Sequence, residues 1–333
     1  MLRAVVLVGG FGTRLRPLTL QTPKQMLPVV DRPMIEWVCE HLASFDVDEA
    51  VLSLGYRPEM FTDAYPDGRC AGVKLRYAVE PEPLDTAGAI AFAAREAGID
   101  ERFVVVNGDV LTDLDVGLLV KTHRDAGGLA TITLTPVDDP SRYGVVPTDE
   151  SGRVLEFVEK PAPGTAPTNW INAGTYVLEP EVLDRIPSGR RVSIERETFP
   201  ALAAEQQLYA MHSNSYWVDA GTPETYITAQ LDLAARTNGA SGHVDPSAQV
   251  HDTAELDGSI VMAGASIGAG AVVRRSAVLS GGVVGAGAVV ADSVVGPGAT
   301  VGERAELHEC SILGDGSAVD AGTVHRAARI PRE

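Results

Sequence analysis

Over the first two-thirds of the chain, apolar positions switch between two periods. Residues 4–8 form an unbroken apolar run of the kind that builds a strand buried on both faces. Residues 33–45 place Ile35, Val38, Leu42 and Phe45 at helical spacing. Residues 50–54 and 75–79 read as further strands, and residues 86–97 as an alanine-rich helix. Another strand, 103–106, ends at Asn107-Gly108-Asp109, and Ala130–Pro136 reads as a strand again. This alternation predicts an α/β domain: a Rossmann-like, mixed but mostly parallel sheet with helices on both faces. Ligands of such sheets collect at the C-terminal edge of the strands.

Near Arg236 the period changes. Thr237-Asn238-Gly239-Ala240-Ser241-Gly242 is a turn-rich connection. Beyond it an aliphatic residue recurs about every sixth position, through Val250, Leu256, Ile267, Val273, Leu279, Val284, Val290, Val301, Leu307, Leu313 and Val319. Small residues fill the intervals. That period fits neither a helix nor a simple strand, and it marks the hexapeptide repeat of a left-handed parallel β-helix. The expected organisation is an α/β domain over residues 1–235, a linker at 236–243, a β-helix over 244–326 and a tail at 327–333.

Composition narrows the function. The chain has 333 residues, 45% of them hydrophobic, which is enough for two cores. No apolar run reaches the length of a membrane span, and the N-terminal run is too short for a signal peptide and leads straight into glycines, so a cytoplasmic protein is expected. Cys39, Cys70 and Cys310 are few, far apart in sequence and odd in number, which suggests free thiols. A net charge of −18 argues against a nucleic-acid or anionic-membrane surface. Lysine is scarce: only Lys24, Lys74, Lys121 and Lys160 occur among 27 basic residues, and two of the four fall in the motifs below.

Directly after the first strand comes Gly9-Gly10-Phe11-Gly12-Thr13-Arg14-Leu15-Arg16-Pro17. Glycines let backbone N–H groups approach phosphate oxygens, and Arg14 adds a forked charge. The segment lacks the third glycine of a dinucleotide fingerprint, which removes the case for a nicotinamide-dependent dehydrogenase, and it lacks the Gly-Lys-Ser/Thr of a P-loop. The second motif, Thr22-Pro23-Lys24-Gln25-Met26-Leu27-Pro28-Val29, sets a compact point charge after a proline.

Together these motifs resemble the sugar-nucleotide pyrophosphorylase (nucleotidyltransferase) family, above all its mannose-1-phosphate guanylyltransferases. Later segments extend the resemblance: Thr86-Ala87-Gly88, Asn107-Gly108-Asp109-Val110, Tyr143-Gly144-Val145-Val146, Phe157-Val158-Glu159-Lys160-Pro161, Ile171-Asn172-Ala173-Gly174 and Trp217-Val218-Asp219-Ala220-Gly221-Thr222-Pro223. The resemblance implies an enzyme that joins a sugar 1-phosphate to a nucleoside triphosphate and releases pyrophosphate. It implies that Gly9, Gly10, Gly12, Thr13, Arg14 and Lys24 hold the nucleotide phosphates, that Asp109 and Asp219 bind Mg²⁺, and that Lys160 holds the sugar phosphate. Gly144, Glu159 and Asn172 are then expected to line the sugar pocket, and Gly88 to join the substrate site. The β-helix is expected to assemble a homo-oligomer.

Glu80 stands where thymidylyl- and uridylyltransferases of this family place glutamine. A carboxylate can accept from both N1–H and the exocyclic amine of guanine, which favours GTP. Two departures keep other substrates open. Asp85 replaces the family's usual glycine and puts a carboxylate near the expected base and ribose. Gln25 replaces the proline common in guanylyltransferases. A glucose-1-phosphate thymidylyl- or uridylyltransferase, another sugar-1-phosphate guanylyltransferase, and a non-catalytic nucleotide-sugar-binding subunit therefore remain alternatives. An acyltransferase site in the β-helix has only His251, His308 and His325 to draw on, in no recognisable constellation.

Overall fold

The apolar run at the start of the chain forms β1 (Leu2–Leu7), inside a ten-stranded sheet. The structure, a computed structural model, describes residues 2–331 apart from the side chain of Asn238. Met1 and the last two residues of the expected tail lie outside the described residues. The chain folds as two units, one made of the residues up to Gly10 with Ile35–Trp217, the other of Phe11–Met34 with everything from Val218 onward.

The first unit is built on the sheet. Its other strands are β2 (Val47–Leu54), β3 (Arg69–Cys70), β4 (Val73–Val79), β5 (Phe103–Asn107), β6 (Ala130–Pro136), β7 (Gly144–Val145), β8 (Val158–Glu159), β9 (Trp170–Leu178) and β10 (Leu208–His212). The order is β8-β7-β9-β5-β1-β2-β4-β3, and β6 pairs with β9 and β10. β1 runs parallel to β2 and β5, and β2 parallel to β4. β9 pairs antiparallel with β5 and β6, which makes the sheet mixed, as the sequence predicts.

Helices α1 (Met34–Ala43), α2 (Asp85–Glu96) and α3 (Val116–Ala126) appear, the first two where the periodicity places helices. The alanines of α2 have a packing role. Ala87, Ala91 and Ala94 are buried with Val5, Val51 and Val105 of the sheet, and small side chains let a helix lie close to a pleated surface. Asp115 caps α3 by accepting a hydrogen bond from the Leu118 N–H at 2.8 Å. Cys39 and Cys70 are free and buried. A hydrogen bond with Cys70, and then burial, push the Cys39 thiol well above its ordinary range.

In the second unit, α4 (Pro223–Asn238) starts with a capping box between Thr222 and Thr225 and stops at Gly239. After it, short parallel strands stack into three sheets, consistent with a left-handed parallel β-helix. The stacking register runs His243, Ile260, Ala277, Val294, Ile312, Arg329. Most coils are therefore one residue short of three hexapeptides. The inward side chains show where: Val261, Ile267, Val273 and Val278 are all buried, spaced by six, six and then five. The coil between Val294 and Ile312 regains the missing residue at a corner where both Glu309 and Cys310 take a left-handed φ, of 57° and 59°. Among the described residues no helix is long and apolar enough to cross a membrane.

Candidate active site

Because β1, β2, β4 and β5 run in one direction, Gly9-Gly10 after β1, Glu80 after β4 and Asp109 after β5 leave the sheet at the same edge. The turn that carries Asp109 lies hard against the end of β1. The Gly108 N–H donates to Leu7 O at 2.9 Å, and a Cβ at Gly108 would come within 2.7 Å of a Val8 methyl. Only glycine fits there, and half-buried Asp109 follows it.

A cavity of about 380 Å³ opens at this edge between Leu7, Gly9 and Gly10 on one side and Glu80, Leu84, Asp85, Thr86 and Ala89 on the other, with Arg191 at its wall. Glu80 is held in it from both sides. Its Oε1 accepts from Ser53 Oγ at 3.0 Å and its Oε2 from the Leu84 N–H at 3.0 Å. Asp85 adopts a left-handed φ of 61°, a conformation that favours glycine but that aspartate tolerates. Its carboxylate accepts from the Thr86 N–H at 2.8 Å. Gly88 sits elsewhere: it is buried, its N–H donates to Val192 O at 3.2 Å, and a Cβ there would meet Leu84 Cβ at 2.9 Å. In this structure Gly88 serves helix packing behind the cavity wall.

The expected sugar-side residues gather in the antiparallel part of the same unit. Gly144 of β7 pairs with Glu159 of β8. A Cβ on Gly144 would lie 2.5 Å from the Phe157 ring and 3.1 Å from Glu159 Oε2. Lys160 turns away with a φ of 50°, its N–H donates to Tyr143 O at 3.0 Å, and its Nζ lies 3.3 Å from Glu159 Oε1. Asn172 Nδ2 donates to Tyr176 Oη at 2.9 Å, and its Oδ1 accepts from the Gly174 N–H at 3.1 Å. Burial, then the charge of Glu195, push the Tyr176 phenol well above its ordinary range; the Asn172 bond opposes the shift, while Glu159 and Asp109 add to it. Tyr176 therefore stays a neutral hydroxyl, within electrostatic reach of three carboxylates.

The second unit assembles the cationic group. Gly12 turns with a left-handed φ of 57° and leads into a short 3₁₀ turn, Thr13–Leu15. Thr19 Oγ1 donates to Gly12 O at 2.8 Å and pins the turn. Lys24 follows, its side chain only 7% exposed, with Nζ 3.5 Å from Asp219 Oδ1. Arg14, largely exposed, places Nη2 3.9 Å from Asp219 Oδ2. Helix α4 positions both halves. Asp219 lies three residues before its N-cap, and buried Gln230 accepts from the Val30 N–H at 2.7 Å and donates to Pro28 O at 2.8 Å. Tyr226 Oη also donates to Pro28 O. The segment just past Lys24 is thus fastened to the helix that follows Asp219.

Sequence reasoning quoted Gly221 within a motif but assigned it no role. A Cβ at Gly221 would lie 2.6 Å from Arg14 Nη2, 2.6 Å from Asp219 Oδ1 and 3.0 Å from Lys24 Nζ, so its missing side chain is the space in which these three groups meet. Ser53 and Arg191 were missed as well, because nothing in a linear sequence ties them to Glu80, and Tyr176 stands four residues after Asn172 in one motif without being given a role. Among the described residues, no three histidine, cysteine, aspartate or glutamate side chains form a metal cage by themselves.

Comparison with known proteins shows the family and the fold. The family described as "Nucleotidyl transferase" matches residues 3–236, and the "GMPPB C-terminal domain" matches residues 240–331. The mannose-1-phosphate guanylyltransferase of Mycobacterium tuberculosis (strain ATCC 25618 / H37Rv) is 42% identical over 276 residues, covering 81% of this chain and 76% of its own. Mannose-1-phosphate guanylyltransferase 1 of Arabidopsis thaliana is 42% identical over 284 residues, covering 82% and 78%. The crystal structure of HddC from Yersinia pseudotuberculosis superposes with a TM-score of 0.60 at 30% identity, over 70% of this chain and 100% of that one. The same protein has also been crystallised in complex with GMP-PN.

Replacing Gly221 by valine is expected to crowd Arg14 Nη2, Asp219 Oδ1 and Lys24 Nζ, and circular dichroism melting verifies that the variant still folds. Nucleoside triphosphate affinity should fall by about tenfold, the scale of one charge-assisted hydrogen bond. Calorimetric titration with triphosphate checks this, and an unchanged dissociation constant would refute the role given to Gly221.

Proposed function

We propose that this chain, which belongs to the nucleotidyl transferase family, converts mannose 1-phosphate and GTP to GDP-mannose and pyrophosphate. The observation that carries the reaction class is the convergence of Arg14, Lys24 and Asp219 around the empty side of Gly221. Nucleotidyl transfer requires two anions to approach each other. The sugar phosphate oxygen is already an adequate nucleophile, so no side chain of unusual acidity is needed. It attacks the α-phosphorus in line, the bond to the bridging oxygen of pyrophosphate breaks, and pyrophosphate departs with that electron pair. Catalysis is then alignment and charge neutralisation, with Arg14 and Lys24 compensating phosphoryl charge while the backbone N–H groups of Gly9, Gly10, Gly12 and Thr13 bind phosphate oxygens.

Members of this family use a divalent metal, which neutralises phosphate oxygens as a Lewis acid when bound. Asp109 and Asp219 are its proposed ligands here. Both are hard oxygen donors, a set that suits Mg²⁺ together with phosphate oxygens. Lys160 is the proposed partner of the sugar phosphate. Gly144, Glu159 and Asn172 are the proposed lining of the sugar site, with Glu159 held by Lys160 and Asn172 by Tyr176.

The choice of GTP rests on Glu80. Its carboxylate is pinned by Ser53 and the Leu84 N–H in the wall of the cavity beside Gly9 and Gly10, where it can accept from the two donors on the guanine edge. Asp85, exposed at the same cavity, is the proposed neighbour of the ribose. We also propose residues 1–235 as the catalytic region and the β-helix, expected over residues 244–326 but with a last stacked strand at Arg329–Ile330 inside the expected tail, as the surface that assembles a homo-oligomer. Light scattering on the purified chain should then give a multiple of the 35.1 kDa protomer mass, and a monomer would contradict that assignment.

The substrates are tested by pyrophosphate release from a matrix of sugar 1-phosphates and the four common nucleoside triphosphates, with and without Mg²⁺. The expected result is Mg²⁺-dependent release that is greatest with mannose 1-phosphate and GTP. In Glu80→Gln the preference for GTP over dTTP should shrink by at least about tenfold. Equal use of dTTP by the wild type would point instead to a thymidylyltransferase.

A further inference from the structure

The second unit holds another cavity, of about 560 Å³, that shares Thr13 with the proposed phosphate site and is otherwise lined by residues the reaction above does not use. One wall is the end of the glycine motif, Thr13, Arg16 and Pro17, and the other is the last coil of the β-helix, from His325 to Pro331. Three of its lining residues are arginines, Arg16, Arg326 and Arg329, another is His325, and none of the described lining residues is acidic. In a chain of net charge −18 such a concentration of cations is out of character, and it lies in a recess rather than on an open face.

Placement of these cations has a structural cost that argues against chance. Arg329 is half-buried, and burial lowers its guanidinium pKa. It is oriented by donating through Nη1 to Cys310 O at 2.7 Å and Ala328 O at 3.1 Å. Arg326 is oriented by Glu309 at 2.9 Å, an exposed pair that contributes little and is readily exchanged for a better anion. His325 Nε2 lies 3.0 Å from Thr323 Oγ1. Forked guanidinium groups in a recess select phosphate oxygens over a single point charge. The volume admits a small phosphorylated molecule and excludes a polymer.

The coil beneath these groups touches the glycine motif. A Cβ on Gly314 would lie 2.9 Å from Pro17 Cβ, and the Gly314 N–H donates to Ile330 O at 2.7 Å, so Pro17 rests on the same turn of β-helix that supports Ile330. Arg14, the triphosphate arginine of the proposed reaction, is two residues before Arg16 in a single short turn.

We infer that this cavity is a second anion site, separate from the proposed substrate phosphates, that takes a small phosphorylated molecule between Arg16, Arg326 and Arg329 and, by fixing Arg16-Pro17 against the terminal coil, adjusts the Thr13–Leu15 turn. The ligand is defined by its chemistry: a compact phosphate ester or free phosphate with at least two negative charges. Binding there changes the affinity of the chain for triphosphate, and the same coupling acts in reverse.

Calorimetric titration of the full chain with inorganic phosphate tests the site without reference to activity. Lys24→Ala weakens the proposed substrate site, and the part of the remaining binding that responds to Arg326 and Arg329 reports the second site. That remaining binding should weaken about tenfold on adding Arg326→Ala, and more on adding Arg329→Gln as well. Arg326 is exposed, so its substitution leaves the fold intact, and circular dichroism melting verifies each variant. In the otherwise wild-type chain, millimolar phosphate should alter the KM for triphosphate, whereas Arg326→Ala should keep the basal kcat and lose that response. Phosphate binding to Lys24→Ala that is absent, or that is indifferent to Arg326 and Arg329, overturns the inference. Binding that survives while KM ignores phosphate overturns the coupling. A chain that binds phosphate here yet fails to release pyrophosphate from any substrate pair would overturn the proposed function and leave this site standing.

Discussion

A lysine with 7% of its side chain exposed must be neutralised, and the segment around it, Asp219 and α4 are arranged to do so. An ammonium removed from water without a counter-charge costs several kcal/mol. Lys24 meets that demand with Asp219, a partner 195 residues away in sequence. Bringing the two together requires the Lys24 segment to be fastened to the start of α4, which Gln230 and Tyr226 do through Pro28 and Val30. The separation of Nζ and Oδ1, 3.5 Å, is longer than a tight ion pair. That looseness leaves both groups room to trade contact for the metal and phosphate proposed above.

The first unit solves a different problem, that of convergence. Parallel strands β1, β4 and β5 end together, so Gly9-Gly10, Glu80 and Asp109 collect at one edge although about a hundred residues separate the first from the last. The antiparallel strands β7, β8 and β9 then extend the sheet and bring Glu159 and Asn172 within the influence of Tyr176. Close approach is secured by absent side chains: Gly108 lets the Asp109 turn rest on β1, and Gly221 gives Arg14, Lys24 and Asp219 a common space.

Much of this was legible in the linear sequence, for physical reasons that differ by element. Long periodic segments such as β6 and α2 declare themselves, because burial on a fixed face imposes a fixed spacing. The β-helix declared itself through its sixth-position aliphatics, yet its true coil is mostly one residue short of three hexapeptides. The shortening falls between Val273 and Val278, within the tolerance of an approximate period. Asp85 was readable as an anomaly, and its left-handed φ supplies the reason a glycine is usual there. Gly88 shows the opposite: its motif suggests ligand contact, but its surroundings are Leu84 and the 190–192 backbone. The Cys39–Cys70 neighbourhood and the arginines of the terminal coil left no trace, since residues distant in sequence reveal proximity only once the chain is folded.

The central claim is that Lys24 and Asp219 act as one device on the phosphates. A double-mutant cycle on the pyrophosphate-release rate examines it most directly, with Lys24→Ala, Asp219→Asn and the pair. If the two groups work together, each single change should cost at least about a hundredfold in rate. The double variant should then fall far short of the product of the two losses, a coupling above about 1 kcal/mol. Losses that simply multiply, or a single variant that turns over at close to the wild-type rate, would contradict the account.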